Sequence, residues 1–301
     1  MKRNIVLSAV LMLGAAAVQA AGVGTTGAQF LEVGVGAREL ALGSAASVLT
    51  SGANAINWNP ARLAGLSSRS LSASYNSLFL DESQGFLGYA APLGNDMGVL
   101  AGGVNYLTVS DIYKRAGDTE NPDSTFSDNN TALTLSYAKS EVRPGLSLGA
   151  SLKYVQQGLD GQNDRAMALD AGSVLKLGGI WTAALAVQNL GGKIGPDDLP
   201  LIVRGGAAAS LLAGKLSAAA DVDWLANDKL AYLSVGAEYS LARYLAVRAG
   251  YQFGRSQDKL GGLTGLAAGM GLKFGEFSLD YAYVPFGDLG DTHRMTMGLN
   301  F

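Results

Sequence analysis

The chain has no cysteine, a single histidine (His293), and only 16% charged residues among 301. Each shortage removes a class of function. Without cysteine there is no disulfide, no thiolate metal site, no cysteine nucleophile and no lipid anchor on an N-terminal cysteine. One histidine leaves histidine-based metal centres and Ser-His or Cys-His catalysis without their partners, so neither an enzyme nor a cofactor or metal is expected. The formal net charge of −3 supplies no basic face, so no nucleic-acid partner is expected. Beyond the first twenty residues, no stretch approaches the ~18 uninterrupted apolar residues of a membrane-spanning helix.

What is present begins with an export signal. Lys2 and Arg3 form a basic start, Ile5 to Val18 an apolar core, and Val18-Gln19-Ala20 a small-residue end. Residues 1–20 therefore read as a signal peptide, with cleavage after Ala20 or Ala21. The alternative, a membrane-anchoring helix, needs ~20 apolar residues and finds fewer. The mature protein is then exported, either as a soluble β-protein or as an outer-membrane barrel.

From Leu71 to Phe301 the hydropathy alternates with period two, as a strand requires when it sends successive side chains to opposite faces. Leu71, Ala73 and Tyr75 alternate with serines; Leu216, Ala218, Ala220, Val222 and Trp224 alternate with Ser217, Asp221 and Asp223; Met295, Met297, Leu299 and Phe301 alternate with Arg294, Thr296 and Asn300. Similar segments near 85–91, 97–107, 131–139, 146–154, 164–175, 180–190, 201–211, 233–239, 245–251, 266–272 and 277–283 bring the total to about fourteen, each about ten residues long, the length of a tilted membrane strand. Their connections alternate between short turns (Gly94-Asn95-Asp96, Val142-Arg143-Pro144, Leu177-Gly178-Gly179, Ala213-Gly214, Leu241-Ala242, Gly275) and longer polar loops at 76–84, 108–130, 158–163, 191–200, 254–262 and 286–291. An antiparallel sandwich or a β-solenoid also alternates. The greasy face persists over nearly every strand here, and aromatics gather near strand ends, which favours an all-β transmembrane antiparallel barrel of about fourteen strands. Phe301 ends the strand that closes it.

The inward parity carries both signs: Lys153, Arg204, Arg248, Lys273 and Arg294 against Asp170, Asp221, Asp223, Glu238 and Asp280. Charges there avoid lipid and pair with one another or line a polar conduit. Inward Gly, Ala and Ser leave space that an N-terminal segment could fill. Gly22-Val23-Gly24-Thr25-Thr26-Gly27 formally fits a dinucleotide fingerprint, but no strand precedes it. The acid-rich stretch 108–130 has no calcium-loop spacing and reads as a solvated surface loop, whose length makes it the best candidate for an outer lid or partner contact. Asn59-Pro60 marks a helical turn ending near Gly65, because an amide acceptor followed by a ring with preset φ suits a helix start.

Three blocks in residues 21–66 carry a family resemblance: Thr25-Thr26-Gly27-Ala28-Gln29-Phe30-Leu31, then Val33-Gly34-Val35-Gly36-Ala37-Arg38, then Ala55-Ile56-Asn57-Trp58-Asn59-Pro60-Ala61-Arg62-Leu63-Ala64. In order and spacing they resemble the PorV/PorQ family, within the wider group of FadL-like outer-membrane barrels. Arg62, Ser44 and Ser51-Gly52 depart from that pattern. The resemblance implies a small N-terminal plug (21–66) in the mouth of a barrel (67–301), with Gly34, Gly36, Ala37, Arg38, Asn57, Trp58, Asn59 and Pro60 as its motif. It further implies a protein that binds or anchors secreted cargo alongside a type IX-like secretion complex, or alternatively a FadL-like channel for hydrophobic small molecules. Outer-membrane lipid and the outer-membrane assembly machinery, which reads a terminal aromatic strand ending at Phe301, are the remaining expected partners.

Overall fold

The computed structural model describes residues 24–79, 82–255 and 261–301. The signal-peptide reading lies outside these residues. Fourteen antiparallel strands close into a barrel. They are β1 (Ser70–Ser77), β2 (Glu82–Pro92), β3 (Val99–Lys114), β4 (Ser124–Arg143), β5 (Leu146–Leu159), β6 (Gln162–Gly178), β7 (Trp181–Gly191), β10 (Ile202–Leu211), β11 (Leu216–Leu225), β12 (Leu230–Ala242), β13 (Leu245–Phe253), β14 (Leu266–Phe274), β15 (Phe277–Pro285) and β16 (Asp291–Asn300). A two-stranded hairpin, β8 (Lys193–Ile194) with β9 (Asp197–Asp198), stands apart from the wall.

Every strand pairs with its sequence neighbour around the ring, and β16 returns to β1. Closure aligns Leu71 with Leu299, Ala73 with Met297 and Tyr75 with Met295. Backbone bonds between Arg69 and Phe301, at 2.9 and 3.0 Å, extend the seam by one residue. No backbone edge is left open, as a span through hydrocarbon requires.

The alternation sorts the wall into two surfaces. Leu71, Tyr75, Leu133, Leu135, Met295 and Met297 are exposed on the outside, whereas Ser70, Ser72, Ser74, Ser136, Ser151 and Thr296 are buried inside. An apolar outer belt of this extent, around a polar interior, is the inverse of a soluble barrel and suits lipid. The inward hydroxyls and amides bond to each other: Ser136 with Ser151 at 2.7 Å, Ser74 with Thr296 at 2.9 Å, and Asn76 to Gln84 at 2.6 Å.

Two loops differ from the sequence reading. Stretch 108–130 is mostly strand: β3 runs to Lys114 and β4 begins at Ser124, so a tall hairpin stands in place of a long loop. Its neighbour, the β5–β6 hairpin, turns tightly at Asp160-Gly161 and is joined to it by an exposed Lys114–Asp160 ion pair. Pairing β3 to β4 and β5 to β6 satisfies backbone groups that a solvated loop would leave to water. The segment that instead folds inward is the β8–β9 hairpin.

The N-terminal residues sit inside this wall as short turns: 3-10 turns at Gln29–Glu32, Gly52–Asn54 and Pro60–Gly65, with α1 (Ala37–Ala41) and α2 (Ala55–Trp58) between them. The Asn59 side chain accepts the Ala61 N–H at 3.0 Å with Pro60 at the first turn position, the helix start that the Asn-Pro pair predicts.

Candidate functional site

The N-terminal segment is held by close approach of two backbones, and the wall supplies glycine where this happens. A Cβ on Gly236 would lie 2.9 Å from the Leu42 carbonyl carbon, and one on Gly250 would overlap the Leu42 carbonyl outright. On the opposite side, a Cβ on Gly149 would meet the Pro60 carbonyl oxygen at 2.7 Å. These inward glycines are the space the sequence left open, and α1 and the 60–65 turn occupy it.

Polar bonds fix the same segment. The Ala37 N–H donates to the Thr296 hydroxyl at 2.8 Å. The Ser47 N–H and hydroxyl both donate to Asp221, at 2.6 and 2.8 Å. Asn59 donates to the Ser47 and Ser173 carbonyls, each at 3.2 Å, and Gln188 donates to the Asn57 carbonyl at 2.8 Å. Trp58 donates to the Val35 carbonyl at 2.8 Å, tying α2 back to the Gly34–Arg38 block. Three of the four Asn57–Pro60 residues therefore bond within the segment or to the wall.

The charged residues form three clusters. Arg38 donates two 2.8 Å bonds to Glu238, and one each to the Leu49 carbonyl and the Ser51 hydroxyl. Arg248 bridges Glu238 at 2.5 Å and Asp280 at 2.7 Å, so Glu238 is shared between the segment and the wall. Burial works against the Arg38 charge, but the Glu238 bonds and attraction outweigh it and hold the guanidinium above its ordinary range. Next to it Glu39 is fully buried, accepting from Thr50 at 3.0 Å and Asn54 at 3.2 Å, and burial raises its pKa despite Arg38. Burial, and then the Arg38 charge, lower the pKa of Arg62, which donates to the Thr50 carbonyl at 3.1 Å.

The second cluster is Lys153, paired with Asp170 at 2.8 Å and donating to Asn189 at 2.7 Å. It sits where the β6–β7 register shifts, and Asp170 accepts the Asn189 N–H at 2.8 Å. The side chain thus replaces a ladder bond lost at the bulge. The third is Arg204, paired with Asp223 at 2.6 Å and stacked 4.5 Å above the Trp58 ring. Lys273, expected among the inward charges, lies exposed at the short-turn rim beyond these clusters. Arg294 is buried with Nη1 unpartnered among the described residues.

Between the N-terminal segment and the long-loop rim lies a cavity of about 620 Å³. Leu40, Trp58, Val33 and Gly34 form its floor; Leu78, Phe79, Ile202, Leu225, Tyr232, Phe286 and Leu289 form its walls. Phe79 and Phe286 meet edge to face at 5.4 Å, and the Arg255 guanidinium covers Phe286 at 4.6 Å. A cavity of this size, with apolar walls and the charged side chains of Glu32, Glu82, Arg204, Asp223, Arg255 and Arg294 set among them, has the form of a small-molecule site. Glu32 lies on its floor, where burial, and then the nearby Asp228, push its pKa up to about 7.

Gly34, Trp58, Arg204, Asp223 and Arg294, singled out from sequence, all reach this cavity. Arg38, Glu238, Arg248 and Asp280 meet at α1 instead. Sequence reading missed Glu32, Glu39, Asp228 and Arg255, and also Ile194 and Leu199, which close over Phe30 from the β8–β9 loop. Glu39, an acid inside an apolar run directly after Arg38, carried the one usable signal. His293 lies on the exposed face, 2.8 Å from the Tyr281 hydroxyl.

No protein-family model and no curated protein sequence matches the chain. Solved structures do. The toluene transporter TbuX of Ralstonia pickettii matches with TM-score 0.65 at 14% identity, covering 89% of this chain and 98% of its own. The toluene transporter TodX of Pseudomonas putida gives 0.60 at 14%, covering 89% and 97%. A Pseudomonas aeruginosa FadL homologue gives 0.59 at 13%, covering 89% and 98%. At this identity the likeness is one of fold: the closed fourteen-stranded barrel of this chain is similar in fold to these channels, in agreement with the broader level of the sequence reading.

Proposed function

We propose that the protein is a bacterial outer-membrane channel for hydrophobic small molecules, with the cavity at the long-loop rim as the entry site and residues 24–66 as its plug. The carrying observation is the apolar-walled cavity of about 620 Å³ seated directly on the plug. The fold supports the reading, since TbuX and TodX are toluene transporters and CymD is a monoaromatic hydrocarbon channel. Apolar walls desolvate a ligand that water rejects, and Trp58, Phe79 and Phe286 are among the aromatic residues that line it. The short-turn rim then faces the periplasm and the tall β3–β6 hairpins face outward. On this reading the protein is not an enzyme: its one histidine bonds to a tyrosine on the outer face.

The test is transfer of toluene into liposomes holding the purified protein. Acceleration over protein-free vesicles is expected, and equal rates would sink the reading. A second reading, a PorV/PorQ-like anchor for secreted cargo, rests on the Gly34–Arg38 and Asn57–Pro60 blocks. Those blocks have a structural use here, seating the plug, which either function would need. Deleting the gene separates the two, because only the anchor reading expects surface proteins to be lost.

A further inference from the structure

A second cavity, of about 420 Å³, lies between the start of the N-terminal segment and the outer ends of β2 to β5. Its polar side is built by strand register. Val109 of β3 pairs with Glu82 of β2 on one side and with Asp128 of β4 on the other. Directly paired residues share a face, so the two carboxylates point the same way, inward, about 10 Å apart at their Cα atoms, two strand spacings. One row further in, Leu107 pairs with Gln84 and Asn130, and Asn130 with Gln157. Glu82, Asp128, Asn130 and Gln157 all line the cavity, and Thr26 borders it from the N-terminal segment.

The charge of this site is of one sign. No lysine, arginine or histidine among the described residues lines it. Neither Glu82 nor Asp128 forms an ion pair among the described residues, although seven such pairs occur elsewhere in the protein. The amide oxygens of the inner row differ in a telling way. That of Gln84 accepts from Asn76 at 2.6 Å and that of Gln157 from the Ala28 N–H at 3.1 Å. That of Asn130 is buried without a partner among the described residues, in a side chain only 4% exposed, and one oxygen of Asp128 shares this condition. Water can hydrate such oxygens, but it does not neutralise two neighbouring carboxylates in a confined space.

We propose that this cavity is a calcium site, with Glu82, Asp128 and the Asn130 amide oxygen as its protein ligands and water completing the shell. Two carboxylates match the charge of a divalent ion, and hard oxygen donors of mixed type are what calcium takes. The uneven spacing of ligands drawn from two strands suits its flexible shell better than the strict octahedron of magnesium. No three acids or histidines gather as a metal cluster among the described residues, so the site is one of modest affinity. Asp128 and Asn130 lie in the acid-rich stretch that lacks calcium-loop spacing. Sequence spacing does not reveal such a site, because Glu82 joins it through register. An ion held there sits between the wall and Thr26, and so braces the start of the N-terminal segment against β2 and β4.

The test is calorimetric titration of calcium chloride into the full-length protein in detergent, stripped beforehand with EDTA. A Kd of about 10⁻⁴–10⁻³ M is expected, and magnesium chloride should bind at least about tenfold more weakly. Asp128→Asn and Glu82→Gln, which keep shape and lose charge, should each weaken calcium at least about tenfold, and Asn130→Ala less. Asp118→Asn, an exposed acid at the tip of the β3–β4 hairpin, should leave the affinity unchanged. Calcium should raise the midpoint of thermal unfolding of the unaltered protein and not that of Asp128→Asn. Assembly of each variant is checked by its heat-dependent shift on a gel, and if one does not assemble the others decide. No binding by the unaltered protein, equal affinity for the two ions, an affinity unchanged in the cavity variants, or an equal loss in Asp118→Asn overturns the proposal. None of these outcomes bears on the channel reading, which toluene transfer decides.

Discussion

Arg38 of the plug and Glu238 of the barrel wall are joined by two parallel hydrogen bonds of 2.8 Å. Glu238 also accepts from Arg248, so one carboxylate anchors two guanidiniums. Removing it by Glu238→Gln leaves the part-buried Arg38 without its carboxylate beside Arg248, which keeps only Asp280, whereas Arg38→Ala leaves Glu238 still paired with Arg248. The first should loosen the plug more, by about 3 kcal/mol, and the second less. Faster proteolysis within residues 25–64, ranked in that order, is the expected result; equal rates in all three proteins would contradict the anchor.

The seat of the plug makes a steric prediction. A valine at Gly236 or Gly250 would drive into the Leu42 backbone, which already occupies the space that a Cβ at either position needs. The wall cannot yield, because its ladder is fixed on both sides, so the plug must shift. Single-channel recordings of Gly250→Val should show conductance steps that the unaltered protein lacks.

Deleting residues 25–64 should have the larger form of the same effect. It removes Phe30, Ile56, Trp58 and Leu63 from the lumen and leaves the polar inner wall to water. Liposome swelling in small sugars should accelerate several-fold. Unchanged permeability would mean that the segment does not seal the barrel.

Glu32 gives a pH dependence with a defined sign. Its pKa is raised from 4.5 in the free side chain to about 7 in the folded protein. The folded state therefore holds the proton more tightly, and the stabilisation is fully present below about 4.5, then lost as pH rises to about 7. The loss amounts to ~2–3 kcal/mol on the linkage relation, reduced by the part of the side chain that water still reaches. Thermal unfolding should shift downward over pH 5–7, and Glu32→Gln should flatten that slope. A slope of the same size in Glu32→Gln would assign it elsewhere.

Phe301 closes the seam through its backbone bonds to Arg69, with its ring exposed on the lipid side. Removing it should lower the yield of folded barrel in the membrane. Its effect on ligand binding by the barrel that does assemble should be small, since the ring is no part of the cavity lining.

Much of the fold was legible because a membrane wall imposes the simplest rule a sequence can carry. Lipid outside and polar groups inside fix the parity of every strand, so Leu71 and Met297 could be placed outward, and Ser72 and Thr296 inward, without knowing a neighbour. The turns at Gly94-Asn95-Asp96 and Gly275 were legible for the same local reason, since positive φ at Gly94 and Gly275 suits glycine. Asn59-Pro60 announced its own helical turn.

The height of the β3–β4 hairpin was not legible. Asp111 and Asn129 read as loop residues, but pairing above the membrane has water on both faces and leaves no hydropathy signature. Nor could the sequence say which inward charges meet. Lys153 with Asp170, and Arg204 with Asp223, are bonded across or between strands, while Arg38 finds Glu238 two hundred positions away. Those partnerships depend on register and on the path of the plug. The same holds for Arg294: its sequence position fixed only that it points inward. Closure of the barrel, the N-terminal segment beneath it and the apolar residues of distant loops together decided that it ends buried, with its Nη1 unpartnered among the described residues. Parity is a property of the chain alone; pairing and cavity shape are properties of what the chain is folded against.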